Sequence, residues 1–217
     1  MGEPFDLSQT DELLTTTRAV RKRLDFSRPV AHELLLECVR IASQAPSGGA
    51  MQITRWVFVE DAAKRVALAD LYRRAYQPYI AEQKRTIAAS GHRVMDKIVS
   101  SSDYLAEHLH EVPVHLVPCA LGRPEGAIQG SVAGFYGSIL PAVWSFMLAA
   151  RSRGLGTAWT TLHLAYEKEA AELLEIPSTV TQVALVPVAY YTGEGFRPGS
   201  RRPAEEIAYL NAWKQPF

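Results

Sequence analysis

Twenty consecutive residues without a charge, Ser131 to Ala150 (SVAGFYGSILPAVWSFMLAA), limit what this chain can become. A run of that length is long enough to span a bilayer as a helix. An all-round apolar helix is equally what the centre of a large soluble core demands. Gly134, Gly137, Ser138, Pro141 and Ser145 interrupt the apolar character, and no second stretch resembles a span. The expectation is a core helix in a soluble protein. The rest of the chain can supply that core. It has 217 residues, 47% of them hydrophobic, and a chain of this length buries roughly 70% of its unfolded surface.

Charge and cysteine content exclude several classes. Lys+Arg and Asp+Glu are balanced at 23 each, without the basic excess of a nucleic-acid binder. The apolar content excludes a disordered chain. Two cysteines, Cys38 and Cys119, make no disulfide framework, so a reducing cytoplasm is the expected location. The opening MGEPFDLSQTDELL has no basic region followed by an apolar stretch, so no secretory leader is expected. No repeat or Gly/Ser linker divides residues 1–217, which are expected to form one domain.

Periodicity places the elements. Helices are predicted over Asp11–Thr17, from His32 to the region of Pro46, over Ala62–Ile87 with a kink at Pro78, over Met95–His110, across the apolar run, and over Tyr166–Glu175. Strands are predicted at Arg55–Glu60, Val112–Cys119 and Thr181–Tyr190, with a short extended segment at Gly156–Thr161. The Val112–Cys119 run is nearly all apolar, as a strand buried on both faces requires. Helices and strands interleave around few strands, which points to an α+β or α/β layer fold with a central sheet.

Four segments could hold chemistry. TTRAVRKRLDFSRPV brings Arg18, Arg21, Lys22, Arg23 and Arg28 together near Asp25, at a helix-to-loop junction. Guanidinium groups bind phosphate through paired hydrogen bonds, and one bound phosphate explains like charges held so close. In APSGGAMQ, Pro46 and Ser47 lead into Gly48 and Gly49, which permit positive φ and offer backbone groups to a ligand at close range. ARSRGLGTAW turns through Gly154, a helix stop, towards Trp159. SRRPAEEI places Arg201 and Arg202 near the C-terminus. There is no GxGxxG, no P-loop, no HExxH, no zinc-spaced Cys/His set and no GxSxG. No metal is expected, and any chemistry is assigned to a bound organic cofactor.

In this order the four segments resemble the nitroreductase family of flavoenzymes, over about residues 12–210. The opening R-x-S-x-[RK] and F-D-x-x-x-P-V pattern matches at Arg18, Val20 and Lys22, then Leu24, Asp25, Pro29 and Val30. The A-P-S-G-G-N-x-Q loop matches at Ala45–Gly49 and Gln52, G-L-G at Gly154–Gly156, and R-R-P-x-E-E-I at Arg201–Ile207. The resemblance implies an α+β fold with a central mixed or antiparallel sheet flanked by helices, made as an intertwined homodimer with FMN at its interface. It assigns Arg18 and Lys22 to the FMN phosphate, with Val20 contributing backbone, and Arg202 beside Arg201 to the same tail. It assigns Pro46, Ser47, Gly48, Gly49 and Gln52 to a loop lining the ring from the partner chain. Trp159, Thr160 and Thr161 would face the ring near N5. The implied activity is ping-pong: NADH or NADPH reduces FMN, and a nitroaromatic, quinone or similar small oxidant replaces it.

Val20 stands where the family has Ser, Ala50 where it has Asn, and Ile53-Thr54 where it has Pro-Trp. A flavin store without turnover, or other flavin chemistry such as desaturation or dehalogenation, is therefore the alternative within the resemblance. A helical interaction module without cofactor is the alternative outside it. Tyr72–Tyr104 is the expected lid, with Tyr76, Tyr79 and Tyr104 as aromatic walls or as packing residues.

Overall fold

A near-continuous apolar strand becomes the centre of a sheet, because only the centre covers both its faces. In the computed structural model, which describes residues 5–90 and 93–217, that strand is β2 (Val114–Leu121), buried from Val114 to Ala120. The first four residues of the expected leaderless opening lie outside the described residues, as do residues 91 and 92 of the expected lid. β1 (Thr54–Val59) pairs antiparallel along β2, from Thr54 opposite Ala120 to Val59 opposite His115. β5 (Val186–Tyr190) flanks the other side of β2 and pairs with β3 (Leu155–Thr157). β4 (Val180–Gln182) pairs with the far end of β2. The sheet order is β1-β2-β5-β3 and every strand pairing is antiparallel, so the α+β expectation holds and α/β does not.

Among the described residues there are seven α-helices: α1 (Leu7–Thr16), α2 (His32–Ala42), α3 (Ala62–Ser90), α4 (Arg93–His108), α5 (Gln129–Gly137), α6 (Leu140–Arg151) and α7 (Glu167–Leu174). The uncharged run is two helices. α5 ends at the capping residue Ser138, and Pro141 sits in the first turn of α6, where its missing N–H costs nothing. Gln129–Arg151 is the one run among the described residues long and apolar enough to cross a membrane. α6 turns Val143, Phe146, Met147 and Ala150 into the core. There it packs with Leu35, Cys38 and Ala42 of α2 and with the sheet residues Leu116, Val186 and Val188. The expected kink at Pro78 does not end a helix: α3 runs through it to Ser90.

The chain divides into two compact units. The larger is Arg18–Gly193 and contains the whole sheet; the smaller joins Met1–Thr17 to Glu194–Phe217. The smaller unit has α1, capped by the Asp6 carboxylate accepting from the Gln9 N–H, and one helical turn at Ala204–Glu206.

Candidate functional site

Residues 18–25 are irregular because their backbone is bonded to two strand edges. The Val20 N–H donates to the Thr157 carbonyl at 2.8 Å, and the Asp25 N–H to the Tyr190 carbonyl at 2.8 Å. Val20 and Leu24 face inward and are buried, whereas Arg18 and Lys22 are exposed. Gly156 allows this close approach: a Cβ there would lie 3.0 Å from Val20 and 3.1 Å from Leu24. The sequence thus brings two of its four segments, the basic cluster and the strand after the G-L-G turn, onto one edge of the sheet.

The partners of the cations are uncommon. Lys22 Nζ donates to Ser100 Oγ at 2.8 Å, and Arg21 Nη1 reaches Ser101 Oγ at 3.4 Å, both on α4. Other arginines pair with carboxylates, as Arg123 does with Glu167 at 2.6 Å and Arg153 with Glu37 at 2.7 Å. Among the described residues, Arg21 and Lys22 join no ion pair. The carboxylate within the cluster, Asp25, accepts from the hydroxyl and N–H of Ser27, which hold it below its ordinary range, with Arg28 adding less. Among the described residues, no carboxylate therefore pairs with Arg21 or Lys22, an arrangement suited to a phosphate dianion.

The Pro46–Gln52 loop is held elsewhere. The Gly48 N–H donates to Ser138 Oγ at 2.9 Å, and the Ser138 hydroxyl donates to the Gly134 carbonyl at 2.7 Å. Gly49, Ala50 and Gln52 all have positive φ, at 59°, 54° and 47°. Ser47, Gln52, Ser138 and Trp56 help line a shallow cavity of about 100 Å³ beside the loop. The sequence marks Ser138 only as an interruption of the apolar run and not as a site residue, because it lies 90 positions from its partner.

Trp159–Thr161 leave β3 in a fixed position. Thr160 exchanges backbone bonds with Leu185 at 3.1 and 2.8 Å, and its hydroxyl donates to the same carbonyl at 2.6 Å. Trp159 packs partly on the core and Thr161 is exposed. Just beyond it, His163 is fully buried, and among the described residues neither ring nitrogen has a partner within hydrogen-bond geometry; burial pushes its pKa down to about 4, with Gln182 opposing the shift. Arg201 and Arg202 are exposed residues of the smaller unit, where Arg201 donates to the Ser200 carbonyl at 2.8 Å. Of the three lid tyrosines, Tyr76 is buried, stacked on Tyr72 and donating to Asp103 at 2.8 Å, and so serves packing. Tyr79 is exposed, and Tyr104 is half-buried against Phe26 and His108.

The family model described as the nitroreductase family matches residues 14–190. Among solved structures, an iodotyrosine deiodinase bound to FMN and 3-iodo-L-tyrosine superposes with a TM-score of 0.68 at 20% identity, covering 94% of this chain and 98% of that one. A nitroreductase-like family protein from Bacillus cereus gives 0.66 at 20% identity, covering 97% and 98%. A BluB-like flavoprotein from Clostridium difficile 630 gives 0.65 at 18% identity, covering 97% and 100%. At these identities the three share the fold.

Proposed function

The chain belongs to the nitroreductase family, and on that premise we propose that it is an FMN-dependent oxidoreductase that uses NADH or NADPH to reduce a small oxidant. One observation supports this above the others. Two adjacent cations, Arg21 and Lys22, rest on neutral hydroxyls and leave their charge for an anion. They stand on a segment bonded to Thr157, two residues before Trp159. That donor set fits a phosphate monoester.

In this reading Arg18 and Lys22 hold the FMN phosphate and Val20 contributes its backbone. Trp159, Thr160 and Thr161 lie against the ring; the Thr160–Leu185 bonds fix their position before any ligand arrives. When bound, FMN supplies hydride acceptance and donation at N5, which the protein tunes through hydrogen bonds and positive charge.

The partner is a second copy of this chain. α2 exposes Leu36 (50%) and Ile41 (42%), and α6 exposes Leu140 (38%) and Trp144 (40%). These helices pack on each other, so a single chain leaves four large apolar side chains in water on one helix pair, more than singly scattered surface residues. The Pro46–Gln52 loop, latched to the α5–α6 junction, would then line the flavin of the other copy. In this reading the whole of 1–217 acts as one flavin-binding unit in the cytoplasm.

The visible absorption spectrum of the purified protein tests the cofactor, and oxidation of NAD(P)H with an added quinone tests turnover. Flavin absorbance with consumption above that of free FMN is expected. Bound flavin without such consumption leaves a flavin store; a colourless protein that takes up no FMN removes the proposal. Arg18→Ala is expected to weaken FMN binding by roughly 1.5–3 kcal/mol, the range for a hydrogen bond to a charged group, read by flavin titration.

A further inference from the structure

We propose that Ser100, on α4, is a further phosphate-binding residue of the flavin site, and that Ser101 positions Arg21 for the same anion. This rests on the FMN reading and deepens it. The sequence reading places residues 72–104 over the site only as a lid with tyrosine walls, and Ser100 lies 78 positions from Lys22.

The hydrogen-bond directions decide the roles. Ser101 donates its proton to the Ile98 carbonyl at 2.9 Å, so its oxygen is left to accept from Arg21. Ser100 accepts from Lys22 Nζ, an ammonium with donors only. Among the described residues the Ser100 hydroxyl proton goes to no acceptor, and the side chain is exposed. A hydroxyl that accepts from a cation and still has a proton to give is suited to an anion beside that cation, because both bonds then strengthen on binding. Position 20 cannot play this part. Val20 has no hydroxyl, and its side chain is buried against Gly156. Ser100 thus supplies from another element the hydroxyl that Val20 lacks. The ligand class is a phosphate monoester rather than a carboxylate, since two adjacent cations and a hydroxyl are available to it.

Riboflavin, which lacks the phosphate, separates this role from general support of the site. FMN and riboflavin are titrated into the full-length apoprotein by flavin fluorescence, for wild type, Ser100→Ala, Ser100→Thr and Ser101→Ala. The expected result is an FMN Kd raised about tenfold or more in Ser100→Ala, recovery in Ser100→Thr, and a smaller rise in Ser101→Ala. Riboflavin affinity and the apoprotein unfolding midpoint stay unchanged throughout. Unchanged FMN affinity in Ser100→Ala, or equal losses for FMN and riboflavin, overturns the assignment while leaving the cofactor reading intact. A wild-type chain that takes up neither flavin overturns both.

Discussion

Ala50 occupies a left-handed backbone conformation, φ 54°, in which its Cβ crowds the following carbonyl. For an L-residue other than Gly, Asn or Asp this costs about 1–2 kcal/mol. The loop tolerates it because the Gly48–Ser138 bond and the Ala50 and Met51 N–H bonds fix the turn around it. Ala50→Asn is therefore expected to stabilise the protein by about 0.5–1 kcal/mol, a rise in unfolding midpoint of roughly 1–4 °C for a chain of this size. Thermal unfolding of the two proteins checks it; an unchanged or lower midpoint would mean the strain is relieved elsewhere. At this scale the sequence announced half the loop. Gly48 and Gly49 signalled a turn, but the positive φ of Ala50 and Gln52 has no local signal. Likewise the basic cluster was legible as charge density. Its partners Ser100 and Ser101 were not, since contacts 78 and 80 positions apart leave no periodic trace.

Among the elements, β3 depends on the absence of one side chain. Gly156 lies between Val20 and Leu24, and both backbones are held, β3 by β5 and the basic segment by Thr157. Gly156→Ala brings a methyl to 3.0 Å of Val20 and 3.1 Å of Leu24, so a neighbour must yield. The expected cost is about 1–3 kcal/mol, as for other overpacked cores, measured by chemical denaturation. Combining it with Val20→Ala should recover part of the loss, because the two changes share one space; strictly additive losses would show that the clash is not with Val20. Element types were legible where a pattern ran unbroken, as in α2 and β2. The failures have local causes. The predicted strand Thr181–Tyr190 is two strands, because Val183 donates to Pro118 and Leu185 exchanges bonds with Thr160, taking the middle out of the ladder. The apolar run breaks where Ser138 turns back on Gly134 to accept the loop.

For the whole molecule, stability against acid follows from two buried histidines. His115 and His163 are fully buried, and burial is the leading cause that takes each to a pKa of about 4 from 6.5. His115 donates one bond from its Nε2–H to the Leu109 carbonyl at 2.8 Å, while Arg65 and His110 add repulsion against its cation. For His163, Gln182 and Glu167 oppose the shift without cancelling it. The folded state keeps both rings neutral, whereas the unfolded chain protonates them below pH 6.5, so the unfolded state binds more protons between pH 6.5 and 4. Stability is then complete above pH 6.5 and falls as pH drops to about 4, where the loss levels off. Each shift corresponds to about 3 kcal/mol at most; between pH 7 and pH 5 the two together remove roughly 3–4 kcal/mol. Urea unfolding at fixed protein concentration and several pH values measures this. His163→Gln retains a polar group of similar size that does not titrate, and is expected to remove about half of the pH dependence while lowering stability at pH 7. A variant whose stability falls between pH 7 and pH 5 as steeply as wild type would place the acid sensitivity in other groups and leave His163 without a part in it.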